Sequence, residues 1–159
     1  MKLNLGSYKY PLKGYINVDI EPWSGVDVVC DLNELQWPFL CGEFEEVRAI
    51  DILEHLGKLT KVDVVQELAR ILKTGGKAIV RVPCVTHVWA FASLQHAHAF
   101  YFNSFDLSYA QPWFRVNKIY AGISDKYFPV PYTRWTRPFL KFLSRHNAVQ
   151  TITFELEKL

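Results

Sequence analysis

Again and again in this chain an apolar run ends in a glycine or a carboxylate. Lys2-Leu-Asn-Leu-Gly6, Ile16-Asn-Val-Asp19-Ile20 and Val26-Asp-Val-Val-Cys30-Asp31-Leu32 share the pattern, as does Val47 through Asp51 to Leu56. Leu72-Lys-Thr-Gly-Gly76 then feeds Lys77-Ala-Ile-Val-Arg-Val-Pro83. Short runs rich in β-branched residues read as strands. Strands of this kind, each ending in a ligand-compatible residue, point to a parallel sheet with a crevice at its carboxyl ends. We therefore expect strands over residues 2–5, 15–19, 26–30, 46–50 and 77–82, with two more over 114–121 and 149–157. The 26–30 strand carries an internal Asp27 and is expected near an edge.

The clearest helix starts at Thr60, a capping residue, with Asp63 in the first turn where a negative charge suits the helix dipole. Val62, Val65, Leu68, Ala69 and Leu72 fall on one face. Gly75 and Gly76 are expected to stop this helix near Lys73. A second helix is expected over 135–146, with Phe139, Leu140, Phe142 and Leu143 as its apolar side. Residues 84–112 are rich in His, Phe and Tyr without a clean period. They read as a functional loop laid over the carboxyl edge of the sheet. One connection is peculiar. The stretch from Gly6 to Tyr15 is too short for a parallel crossover containing a helix. Either it is a bare loop or the first two strands are not neighbours.

The chain has 159 residues, half of them hydrophobic, which suits one domain over residues 1–159 with its own core. The formal net charge is only +2, from 18 basic and 16 acidic residues, and the basic residues are scattered. That gives no strong nucleic-acid signal. Three cysteines at wide spacing form no disulfide framework, and no leader or membrane-length apolar run is evident. A cytoplasmic location is expected.

Among candidate site residues, Gly6 allows a ligand close to the backbone. Asp19 can accept hydrogen bonds from ribose hydroxyls, and Ile20 follows it. Asp31 can reach an adenine amino group while Leu32 packs on the base. Asp51 and Ile52 can flank the sugar or amino-acid part of a nucleoside cofactor. His55 is expected to hold the crevice loop rather than to act chemically. His96 and His98 are the acid–base candidates, because imidazole titrates near neutrality, and Asp106 could orient one of them. Trp89 and Phe100 are expected to wall an acceptor. No metal site is expected, because no Cys or carboxylate stands at a recurrent zinc spacing around His87, His96 and His98.

In order and spacing, these segments resemble the class I methyltransferases that use S-adenosylmethionine, particularly the small members. Leu3-Asn-Leu-Gly6 resembles the glycine motif and Gly14-Tyr-Ile-Asn-Val-Asp19 the ribose-binding strand. Val29-Cys-Asp-Leu32 resembles the adenine-side segment. Glu46 through Leu56 resembles the fourth-strand motif, and Leu72 through Pro83 the entry to the fifth strand. Gln95-His-Ala-His-Ala-Phe100 resembles the histidine loop that follows. The resemblance implies a trimmed, doubly wound, mostly parallel α/β sheet of Rossmann-like type, with S-adenosylmethionine as cofactor. It implies methyl transfer to a small-molecule or glycan acceptor, or alternatively a catalytically inactive binding or partner protein, as a homo- or hetero-oligomer. The chain departs from the family at Tyr8, where a second glycine is usual, and at Ser93 and Leu94, where the family has aspartate and proline. Tyr8, Lys9 and Tyr10 either crowd the methionine end of the cofactor or turn outward.

Overall fold

The computed structural model describes residues 1–105, 110, 112–123, 129–146 and 148–159. Among them eight strands form one sheet: β1 (Lys2–Leu5), β2 (Ile16–Asp19), β3 (Val28–Val29), β4 (Phe44–Ile50), β5 (Leu72–Pro83), β6 (Phe114–Gly122), β7 (Pro129–Pro131) and β8 (Thr151–Lys158). Their spatial order is β3-β2-β1-β4-β5-β8-β6-β7. The first five strands run parallel. β8 enters between β5 and β6, antiparallel to both, and β7 closes the edge antiparallel to β6. The expected mostly parallel α/β sheet is present.

The short first connection resolves as a bare loop. β1 and β2 are direct parallel neighbours, with Leu3 opposite Ile16 and Leu5 opposite Val18. The β2–β3 and β3–β4 connections also lack helices. α1 (Lys61–Ile71) joins β4 to β5, α2 (Trp89–Ala92) lies in the long loop after β5, and α3 (Arg137–Arg145) precedes β8. β3 is shorter than expected and lies at the edge, as its internal Asp suggested.

Thr60 and Asp63 form a full capping box at the start of α1, each satisfying an amide of the other's turn. The helix stops at Ile71, before the glycine pair. Leu72 is already extended and pairs with Phe44, after which the register jumps to Glu46 opposite Lys77. Gly75, at φ +77, and Gly76 thus make a bulge within β5 rather than the helix stop. A Cβ on Gly76 would stand 2.7 Å from the Lys73 carbonyl oxygen, which is why the bulge needs glycine there.

The two faces of the sheet differ sharply. Leu5, Ala49, Val80, Phe154 and Ile119 share one register row and are buried, with Leu68 of α1 and Leu140 of α3 in the same core. Many of the alternate positions are charged or polar, Ile50 and Ile79 being exceptions, as the two-residue repeat of a strand allows. Lys2, Glu46, Lys77, Glu157 and Arg115 lie side by side across five strands. Lys2 and Arg115 approach their glutamates at 3.3 Å each. α3 buries Leu140 and Ser144, while Phe139 and Phe142 are exposed, so its apolar side is narrower than expected.

Candidate functional site

The carboxyl ends of β1, β2 and β4 meet around Gly6. At φ +64 Gly6 adopts a left-handed conformation, and a Cβ there would lie within 2.7–2.9 Å of the Ile52 side chain. The loop after it is pinned from below by Asp19. Its Oδ2 accepts the Tyr8 amide at 2.8 Å and its Oδ1 the Glu21 amide at 3.1 Å. Each oxygen keeps a lone pair for a further donor. Tyr8, at φ +45, directs its ring against Trp23, with centroids 5.3 Å apart and the Lys9 ammonium over the indole. Tyr8 thus packs on Trp23 and at the same time lines the wider of the two cavities at this edge.

Two cavities share Gly6. The narrower, about 70 Å³, is lined by Asp19, Ile20, Asp31, Leu32, Ile52 and His55 among others. Most of the expected cofactor-binding set is thus brought to one cleft. Ile20 is exposed at its rim and Leu32 is buried at its base. The Asn33 amide, helped by Lys58, holds the Asp31 carboxyl below the usual carboxylate range. The wider cavity, about 430 Å³, lies on the polar face and is lined by Tyr8, Tyr10, Arg48, Asp51 and Arg81. Asp51 is here rather than in the narrow cleft. It is a non-glycine residue at φ +54, held by a two-pronged ion pair with the Arg81 guanidinium.

Across the mouth of the narrow cleft, residues 53–59 and 96–98 are tied together. The Glu54 carbonyl accepts the amides of Ala97 at 2.7 Å and His98 at 3.2 Å. His98 donates from Nε2 to the carbonyls of Leu56 and Leu59, at 3.0 and 2.9 Å. It faces a separate small apolar cavity with Lys61 and Phe100, not the cleft. This engagement fits a holding role better than an acid–base one. His96 does not line the cleft itself but packs on His55, which does, the two rings 4.6 Å apart and edge to face. Burial, and then the His96 ring, push the His55 imidazole below its usual pKa, against the Gln95 backbone oxygen that favours its proton.

Phe100 is buried against Phe105 and lines the small apolar cavity rather than the cleft; Trp89 is half exposed. His87 is buried and accepts the Trp89 amide at Nδ1. Asp106 lies outside the described residues.

Glu54 is the residue that the sequence reading passed over. It is 1 % exposed, and Oε2 has no hydrogen-bond partner among the described residues. Burial, with Asp51 nearby, pushes its carboxyl up to about 8. A carboxyl raised on folding binds its proton more tightly in the native state. Stability is therefore full below about pH 4.5 and falls as pH rises toward about 8. In chelator-treated buffer we expect the melting temperature to drop across that window. Glu54→Gln should flatten the drop; an unchanged profile would show that Glu54 does not titrate there.

No protein-family model matches the chain, and no curated protein does. Solved structures do. An S-adenosylmethionine-dependent methyltransferase from Archaeoglobus fulgidus is 13% identical, over 99% of this chain and 85% of that one, with a TM-score of 0.66. The complex between the Haloferax volcanii Trm112 methyltransferase activator and its candidate methyltransferase matches at 16% identity, over 98% and 81%, with a TM-score of 0.66. Geranyl diphosphate C-methyltransferase from Streptomyces coelicolor, solved with S-adenosyl-L-homocysteine, matches at 13%, over 99% and 73%, with a TM-score of 0.62. These likenesses establish the fold as that of the S-adenosylmethionine-dependent methyltransferases.

Proposed function

We propose that a chain with this fold is an S-adenosylmethionine-dependent methyltransferase acting on a small-molecule or glycan acceptor. One observation carries the reading. Gly6 and Asp19, at the ends of adjacent parallel strands, share a cleft with Asp31 and Leu32, in the order a nucleoside would need. Asp19 has lone pairs left for ribose hydroxyls beside the two amides it already accepts. Ile20 and Leu32 flank the base, and Asp31 takes its amino group. Past Gly6 and Ile52, the amino-acid end reaches the wider cavity, where Arg48 and the Asp51–Arg81 pair offer both signs of charge. The bound cofactor supplies an activated methyl group, so the protein's share is alignment, exclusion of water and handling of a proton. His96, beside the cleft-lining His55, is the residue we assign to the handling of that proton, directly or through a group that it binds. Cytoplasmic residence, and a partner chain as in the Haloferax complex, belong to the same reading. No helix among the described residues is long and apolar enough to cross a membrane.

The test is calorimetric titration with S-adenosylmethionine and S-adenosylhomocysteine. Saturable binding is expected, weakened about 10- to 100-fold by Asp19→Ala through loss of charge-assisted hydrogen bonds. Asp19→Asn keeps an acceptor for the Gly6 loop and separates a folding defect from a lost ribose contact. A well-folded protein that binds neither ligand overturns the proposal.

A further inference from the structure

We propose that Glu54, His55 and His96 form a binding site for one divalent transition-metal ion at the mouth of the cleft. The three side chains each present a ligand atom, and these atoms all lie within 4.8 Å of one another. A tetrahedral ion with bonds of 2.0–2.2 Å spaces its ligands about 3.4 Å apart, so the largest contraction required is about 1.4 Å. The chemistry of each group fits. The buried Glu54 Oε2 lacks a partner, a costly state for a carboxyl oxygen away from water. A cation is the partner that would satisfy it. The Nδ1 of His96 faces the Ala90 carbonyl at 3.3 Å. A carbonyl only accepts, so Nδ1 carries the hydrogen and Nε2 keeps its lone pair. Metal-bound histidines are commonly oriented by such a backbone oxygen.

The scaffold is fixed as well. Glu54 and His55 lie in a 3₁₀ turn, and His96 lies 41 residues later. The Glu54 carbonyl, through the amides of Ala97 and His98, clamps the two segments together. His98 ties down the same turn, and Gly57 packs so closely on Ala97 that a Cβ would stand 2.8 Å from it. Two imidazoles and one carboxylate suit Zn²⁺, Mn²⁺, Fe²⁺ or Co²⁺ better than Mg²⁺ or Ca²⁺, which favour oxygen donors alone.

Three protein ligands leave a coordination position open, as catalytic rather than structural sites do. His55 borders both the narrow cleft and a broad depression of about 490 Å³ formed with Asn33, Gly57, Lys58 and Gln95. A ligand on an open position that faces the His55 side would stand next to the cleft and the depression. On the methyltransferase reading, which this role rests on, that ligand is an oxygen of the acceptor. A hydroxyl bound there loses its proton to solvent more readily. This narrows the acceptor class to alcohols and phenols.

The experiment uses the full chain, stripped with a chelator and titrated with Zn²⁺ and Co²⁺, with S-adenosylhomocysteine titrated into the same sample. The expected result is one ion per chain and Co²⁺ visible bands of a four- or five-coordinate N/O site. Glu54→Gln and His96→Ala should each weaken binding about 100-fold, while His87→Ala leaves it unchanged. Circular dichroism confirms that each variant is folded. Absence of saturable binding, or binding indifferent to His96→Ala, overturns the metal site. Metal bound without S-adenosylhomocysteine binding would sink the methyltransferase reading and keep the site. The reverse would sink the site alone.

Discussion

Replacing Glu67 by alanine is expected to cost about 3–5 kcal/mol of folding stability, the penalty for stranding the partners of a buried charge. Glu67 is on α1, yet its carboxylate accepts the Trp37 amide at 2.7 Å and two guanidinium nitrogens of Arg70 at 2.6 and 2.9 Å. Arg70 passes the link on to the carbonyls of Phe39 and Trp37, at 2.7 and 3.0 Å. Three of these polar contacts fasten the helix-free β3–β4 connection to α1. Trp37, 2 % exposed, is set by the same clasp and donates its indole N–H to Leu32 at the base of the cleft. Without the carboxylate, the Trp37 amide loses its acceptor and the Arg70 charge keeps only the two backbone carbonyls. In a chain of this length the loss corresponds to a drop of roughly 10 °C in melting temperature. Glu67→Gln retains an acceptor for Trp37 and should fall between the two. Urea melts decide the matter: a Glu67→Ala midpoint equal to wild type would mean that the clasp is solvated and adds nothing.

Gly6→Val is expected to abolish cofactor binding, by more than about 100-fold, while leaving most of the fold's stability intact. A β-branched residue at φ +64 is strained before any contact is counted. Its Cβ would also stand 2.7 Å from Ile52, a neighbour that lines the same cleft. Relief requires Gly6 to leave the left-handed region or Ile52 to move. The first pulls the Tyr8 amide off Asp19, and the second fills the cleft. Backbone strain and crowding together cost about 2–4 kcal/mol, localised at the sheet edge. Titration with S-adenosylhomocysteine, alongside a melt, reads both effects. Wild-type affinity in Gly6→Val would show that the ligand does not pass over this glycine.

Local chemistry made much of this molecule legible. Thr60 and Asp63 announce their helix because a capping box depends only on residues three apart. Gly6, Asp19 and Asp31 were readable as a group because a parallel sheet sends every strand end to the same edge. Even the short Gly6–Tyr15 gap carried its message, since a bare crossover was one of two outcomes that chain length allowed. What stayed hidden depends on the fold. The Gly75–Gly76 pair reads as a helix stop until the pairing of Phe44 with Leu72 shows the strand starting first. Phe100 looks like part of a binding loop but is drawn into the core by Phe105. Glu54 and His55 are neighbours but His96 lies 41 residues away, so a search for ligand spacing around the later histidines alone could not bring them together.

The row of Lys2, Glu46, Lys77, Glu157 and Arg115 settles what can be built on this scaffold. An ordinary amphipathic helix laid across it would strip water from five ionic groups and return only greasy contact, a losing exchange. The residues that grip a ligand depend instead on strand ends and on the turns that leave them. Those turns can lengthen, shorten or change chemistry without touching the framework beneath. In this molecule, the address of the site and the insulation of the sheet are separate inheritances.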